Sequence, residues 1–145
     1  MTAAENPNEE TRILVVDDEA AARNALVELL REEGYAVRSA ADGFKALGQV
    51  DEWSPNLIIT DVKMPGLDGL ELMKKLRERG DVVGIVVMTA FGSVENAVEA
   101  MQQGADDYLT KPVHFPELLV VVRKVLEHYR LRQENTLLKS ELRDN

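Results

Sequence analysis

The chain reads as an α/β protein: a five-stranded parallel sheet, doubly wound by helices, with an extended C-terminal helix. Two observations predict this. Short apolar runs alternate five times with longer amphipathic stretches, and units of that length bury a parallel sheet between two layers of helix. The runs also end on residues capable of chemistry: Asp17 and Asp18 after the first, Asp61 after the third, Thr89 after the fourth and Lys111 after the fifth. In a doubly wound sheet with right-handed crossovers, ligands bind outside the carboxyl ends of the strands, where these side chains would meet.

Residues 1–10 are polar, aperiodic and contain a proline, and read as a disordered tail. Residues 13–16 (Ile-Leu-Val-Val) form the first strand. Residues 19–33 carry Ala22, Leu26, Leu29 and Leu30 at helical spacing, with Gly34 as the stop. Residues 35–40 alternate as a second strand. Asp42-Gly43 then opens a short helix with Phe44, Leu47 and Val50 on its apolar face, ended by Ser54-Pro55. Residues 57–60 are the third strand, and residues 63–69, with one proline and two glycines, are a loop. Leu70, Leu72, Met73 and Leu76 mark the next helix, which closes at Gly80. The fourth strand, residues 85–88, runs into Thr89. Ser93 suits an N-cap for a helix with Val94, Ala97, Val98 and Met101 on one face, stopped by Gly104. Residues 107–110 form the last strand and deliver Lys111-Pro112.

The final helix starts near Pro116 and carries two stripes. Leu118, Val122, Val125 and Tyr129 can pack on the sheet; Leu131, Asn135, Leu138 and Leu142 repeat at four, three and four residues, out of phase with the first set. A continuous helix to Leu142 would be about 40 Å long at 1.5 Å per residue, more than the domain can cover. The division expected is therefore a domain over residues 11–128 and a helical linker over 129–145. Two readings of that linker stand side by side. It is a short two-stranded coiled coil making a homodimer, with Asn135 as the polar core residue that fixes register, or a solvated helix with incidental leucines.

Composition narrows the function. The 145 residues suffice for one domain and an appendage. There is no cysteine, which excludes a disulfide framework, a thiolate metal site and a thiol nucleophile. The net charge of −9, from 26 acidic and 17 basic residues, argues against direct nucleic acid binding, which rests on cations neutralising phosphates. No apolar run approaches the roughly 20 residues of a membrane span, and the first residues lack a signal-peptide pattern. A cytoplasmic protein is expected.

Three carboxylates gathered at one sheet edge repel unless a cation sits among them. All-oxygen ligands favour a hard ion such as Mg2+. An ionised carboxylate can attack a phosphoryl group, and Asp61, after the most apolar central run, is the candidate nucleophile. Thr89 can donate a hydroxyl hydrogen bond, and Lys111 supplies a mobile positive charge to phosphoryl oxygens. Each residue alone has a plainer reading: Asp18 or Thr89 as a helix cap, Lys111 as a surface ion pair. Four strand ends together leave that explanation weak. His114 and His128 are too far apart in sequence for a metal site, and Trp53 reads as a packing residue.

These residues carry a resemblance. Asp17-Asp18, Asp61 with Met64-Pro65-Gly66-Leu67-Asp68-Gly69, Thr89-Ala90 and Lys111-Pro112 occur in the order and context of the receiver domain of bacterial two-component response regulators, over about residues 12–128. The resemblance implies the flavodoxin-like strand order 2-1-3-4-5. It also implies that Asp61 accepts a phosphoryl group from a sensor histidine kinase. Mg2+ would be held by Asp18, Asp61 and the main-chain carbonyl of Lys63, with Asp17 acting through a bound water. Thr89 and Lys111 would clamp the phosphoryl oxygens, a cis bond would precede Pro112, and Tyr108 would turn inward with Thr89 as the switch. Such a protein is not a conventional enzyme: it only takes up and slowly hydrolyses its own phosphoryl group.

Residues 89–101 and 104–112 further resemble the receivers of nitrogen-regulation-type activators, and residues 130–138 resemble their linker to a sigma-54-dependent ATPase. The full-length protein would then add ATPase and DNA-binding domains, since the phosphate loop of such an ATPase does not occur in these 145 residues. Rival readings fare less well. An aspartyl phosphotransferase acting on outside substrates needs an acid two residues after the nucleophile, where Lys63 stands. A nucleotide binder would meet three acidic strand ends unshielded. A degenerate receiver that is only a protein-binding module would not need all five sites.

Overall fold

The computed structural model describes residues 11–90 and 93–144, with side chains through 135. Strand and helix alternate throughout: β1 (Arg12–Val16), α1 (Ala20–Glu32), β2 (Ala36–Ala40), α2 (Gly43–Trp53), β3 (Leu57–Asp61), α3 (Gly69–Glu78), β4 (Gly84–Thr89), α4 (Val94–Gln103), β5 (Asp107–Thr110) and α5 (Phe115–Asp144). The strands pair in parallel in the order β2-β1-β3-β4-β5, the expected flavodoxin-like arrangement.

The central strands are apolar on both faces because both are covered. Successive side chains point to opposite faces, so Ile13 and Val15 pack with Leu26, Val27 and Leu30 of α1 and with Leu118, Val122 and Val125 of α5. Leu14 and Val16 pack on the other side with Ala46 and Val50 of α2 and with Leu72, Met73 and Leu76 of α3. Helix ends follow local chemistry. The Asp42 carboxylate accepts the Lys45 N–H at 2.8 Å, and Asp68 with Glu71 forms a capping box at the start of α3. At the end of α4, Gly104 adopts φ 112°, a conformation that L side chains rarely take.

Three local expectations change. Ser93 stands at the N-cap of α4, but its side chain makes no capping hydrogen bond. Phe44 does not enter the core: it is 65% exposed in the first turn of α2, with its ring over Gly66. On α4, Val94 (70% exposed), Val98 and Met101 face outward, and Ala97 and Ala100 make the buried contact. The alanines let the helix approach the sheet closely, which leaves the bulkier residues on its flank. Trp53 ends α2, and the Arg38 guanidinium lies 4.9 Å from its ring centroid.

α5 is one helix of 30 residues, about 45 Å long at 1.5 Å per residue. Leu118, Val122 and Val125 are fully buried, and the Tyr129 hydroxyl accepts a hydrogen bond from Asn56 at 3.3 Å. Leu131 and Asn135 are exposed, as an out-of-phase stripe requires. The side chains of Leu138 and Leu142 lie outside the described residues, as do residues 1–10, Phe91 and Gly92. Among the described residues, no helix is long and apolar enough to cross a membrane.

Two alanine substitutions test this packing. Ile59, fully buried in β3, should cost about 2–5 kcal/mol when truncated to Ala. Phe44→Ala should stay within about 0.5 kcal/mol of wild type. Urea unfolding midpoints measure both, and comparable losses at the two positions would contradict the burial described.

Candidate functional site

β1 and β3 are neighbours although β2 lies between them in sequence, so the winding reverses between them and a crevice opens at their carboxyl ends. Val16 pairs with Thr60, which brings Asp17 and Asp61 to the same edge one step later. Asp17 is 1% exposed and tied on every side. Its Oδ1 accepts the Glu19 N–H at 2.9 Å, its N–H donates to the Ala40 carbonyl at 3.2 Å, and its own carbonyl accepts from Arg23 Nη1 at 2.8 Å. Asp17, not Asp18, therefore orders the entry to α1. Asp18 is exposed, and among the described residues no hydrogen bond reaches its carboxylate. Carboxylate oxygens of Asp17, Asp18 and Asp61 all lie within 4.8 Å of one another.

Lys111 comes to this cluster from two strands away. Its N–H donates to the Thr89 carbonyl at 2.7 Å, and the Lys111-Pro112 bond is cis, as the resemblance implies. Its Nζ lies 2.8 Å from Asp61 Oδ2 and 3.3 Å from Asp17 Oδ2. Partial burial pushes the Lys111 pKa down. The hydrogen bond to Asp61 and the charges of Asp61 and Asp17 outweigh that and hold it above its ordinary value. The stabilisation from this raised pKa is fully present below about pH 10.4 and is lost as pH rises through the folded-state value.

Thr89 is buried beside the cluster, and its hydroxyl lies 3.5 Å from the Leu109 carbonyl. Tyr108, one residue further back on β5, faces outward at 44% exposure and lines an apolar hollow with Val94, Ala97, Val98 and Met101. Lys63 is exposed, two residues past Asp61. Leu131 and Asn135 stand apart from the cluster, on the distal part of α5.

Other residues shape the site without a chemical signature in the sequence. Arg23 holds the Asp17 carbonyl. A Cβ on Gly69 would lie 2.1 Å from the Asp61 carbonyl oxygen, and one on Gly43 would lie 2.2 Å from the Leu67 carbonyl oxygen. Those glycines let the loop after β3 fold down between Asp61 and α2. In the sequence both look like ordinary turn and helix-start residues, because the atoms they must avoid are distant along the chain or fixed by the fold.

A parallel sheet with a carboxylate cluster and a lysine at its switch point defines a class: doubly wound domains with an acidic, lysine-bridged crevice at the carboxyl ends of their strands. The comparisons agree. The profile of the response regulator receiver domain family matches residues 13–123, and the chain belongs to that family. It is 44% identical over 123 residues to the response regulator MprA of Mycobacterium ulcerans, covering 85% of this chain and 53% of that protein. It is 46% identical over 115 residues to MprA of Mycobacterium avium, covering 79% and 50%. The chain thus spans about half the length of the curated relatives it matches. Among solved structures, the receiver domain of NtrX from Brucella abortus superposes with a TM-score of 0.76 at 34% identity, over 79% of this chain and 98% of that one. A longer NtrX structure from the same organism gives 0.82 at 33% identity, over 88% of this chain and 29% of its own.

Two consequences can be measured. Gly69→Ala should lose about 1–3 kcal/mol through overpacking, whereas Gly48→Ala, with open space around it in α2, should gain roughly 0.5–1 kcal/mol. An unchanged unfolding midpoint for Gly69→Ala would refute the close approach. Asp61→Asn should lower the Lys111 titration midpoint, read by NMR of the lysine side chain. A midpoint that does not move would mean that Lys111 is held by something other than Asp61.

Proposed function

We propose that the chain is a phosphorylation-activated receiver whose acceptor is Asp61, charged by the phosphohistidine of a sensor histidine kinase. The observation that carries this reading is the Asp61 carboxylate at the mouth of the crevice, 2.8 Å from the Lys111 ammonium and grouped with the oxygens of Asp17 and Asp18. A carboxylate oxygen of Asp61 attacks phosphorus, an O–P bond forms, and the P–N bond of the donor breaks. The bonding pair leaves on the imidazole nitrogen, which solvent protonates. Lys111 then moves from carboxylate to phosphoryl oxygen, a short shift for a flexible stem. Thr89 supplies the second donor by rotating its hydroxyl away from Leu109.

The donor set fits Mg2+. The three carboxylates whose oxygens lie within 4.8 Å of one another would supply it, Asp17 through a water, together with the Lys63 carbonyl. Asp18 supports the fit best, because its exposed carboxylate has no structural duty among the described hydrogen bonds. When bound, Mg2+ supplies charge neutralisation for the incoming phosphoryl oxygens. Asp17 and Arg23 meanwhile keep the β1 edge in place.

The output surface is α4, β5 and α5. Tyr108, outward over the α4 hollow, would turn toward the space that Thr89 vacates and repack the exposed Val94 and Val98. The switch is thus a change between two packings. The division into a tail over 1–10, a receiver over 11–128 and a linker over 129–145 belongs to the same reading. So do a homodimer through Leu131, Asn135, Leu138 and Leu142, and a cytoplasmic location. We assign the chain to the nitrogen-regulation type, with ATPase and DNA-binding domains following. Identity is higher to MprA, but the longer NtrX structure covers 88% of this chain against 85% and 79% for the two MprA proteins, and the 30-residue helix continues past residue 128 as such a linker would.

Acetyl phosphate with Mg2+ should add the mass of one phosphoryl group to the wild type and none to Asp61→Asn, by intact mass spectrometry. Equal labelling of both would move the acceptor elsewhere. Light scattering with beryllofluoride, which mimics the phosphoryl group on an aspartate, should change the mass of the wild type only.

A further inference from the structure

At the end of the sheet opposite the acidic crevice, Asp106 occupies the turn between α4 and β5 with its side chain only 9% exposed. Its backbone N–H donates to the Ile85 carbonyl at 2.8 Å, and its Oδ2 accepts the Ile85 N–H, also at 2.8 Å. The turn is therefore stitched to the start of β4 from both sides. Two guanidinium groups close on the same carboxylate. Arg77 of α3 reaches Oδ2 at 3.3 Å and also donates to the carbonyls of Gly104, Asp81 and Val83. Arg132 of α5 reaches Oδ1 at 2.5 Å and Oδ2 at 3.4 Å, and donates to the Val82 carbonyl at 3.0 Å.

Arg132 is the unexpected member. It follows Val125 and Tyr129 at helical spacing, so it continues the stripe that faces the domain, while Leu131 faces away. The sequence division places it in the linker. The helix then runs on from Arg132 to Asp144, about 18 Å at 1.5 Å per residue. A buried carboxylate needs its partners far more than a solvated one does. A two-oxygen contact from a planar guanidinium also fixes direction as well as distance.

We propose that Arg132, through Asp106, is a positioning residue that clamps the exit of the linker helix to the turn between α4 and β5. The direction of the projecting helix then follows the position of that turn. This rests on the reading of α4-β5-α5 as the output surface and adds the part that reports its movement to the helix. Arg77 holds the other side of Asp106 against α3 and the end of α4. A shift of α4 therefore moves the carboxylate to which the linker is tied, and the long arm beyond Arg132 enlarges it.

Hydrogen–deuterium exchange on the full 145-residue chain tests the clamp, with wild type, Arg132→Gln and Asp106→Asn, each with and without beryllofluoride and Mg2+. At rest, both substitutions should raise exchange across residues 129–135 at least tenfold while β1 and β3 stay protected. With beryllofluoride, the wild type should change at both 93–110 and 129–135, and Arg132→Gln only at 93–110. That loss of response separates coupling from simple support. Unchanged resting protection of 129–135 in Arg132→Gln, or an intact linker response in it, would overturn the proposal. A wild type that responds nowhere would overturn the phosphoryl reading and the coupling together, and the resting exchange would still judge the clamp itself.

Discussion

Lys111 holds three strands' worth of chemistry in one place. Its ammonium bonds the carboxylates of Asp61 on β3 and Asp17 after β1, while its backbone bonds β4 at Thr89. Without a cation, three carboxyl groups whose oxygens lie within 4.8 Å would push apart the strand ends that carry them. The acidic crevice therefore persists because a positive charge is delivered across the sheet. The same charge is movable, since a lysine stem can be redirected at small cost. A site held by a redirectable cation is one that can respond to a new anion.

The rest of the fold serves that arrangement by keeping the strand ends fixed. Both faces of β1, β3 and β4 are covered, which packs their main chains between two helical layers. Asp17 is locked by Glu19, Ala40 and Arg23, and Gly69 lets the loop after β3 lie directly on the Asp61 carbonyl. Near the crevice the side chains are tied to several elements, whereas α4 touches the sheet through two alanines and leaves its larger side chains in solvent. That contrast suits the proposed division between an acceptor site at the crevice and an output surface at α4.

At the far end of the sheet a second charged cluster, around Asp106, ties α3, the α4–β5 turn and α5 together. The two clusters share a logic. In each, a nearly buried carboxylate is bonded by a cation from an element distant in sequence, so that one charge relates several elements. One faces the chemistry, and the other faces the helix that leaves the domain.

Much of this is legible in the sequence. Alternating apolar runs predicted the element order, because runs of four or five β-branched and apolar residues bounded by turn signals fit strands buried on both faces. The residues after those runs named Asp17, Asp18, Asp61, Thr89 and Lys111, because a parallel sheet gathers strand ends on one edge. Local chemistry also marked the helix ends at Asp42 and Gly104, whereas Asp68, read as part of a loop, proves to be the capping-box residue of α3. Tertiary structure alone decided the rest. Phe44 and the valines of α4 read as core by periodicity, yet which part of an apolar stripe is covered depends on where the sheet stops. Gly43, Gly69 and Arg23 act on atoms that only folding brings near. Arg132 falls within the linker that the break between the two stripes divides off, but its partner lies 26 residues back. Sequence specifies contacts within a turn or along a strand; contacts between distant elements exist only once the whole sheet has set their distances.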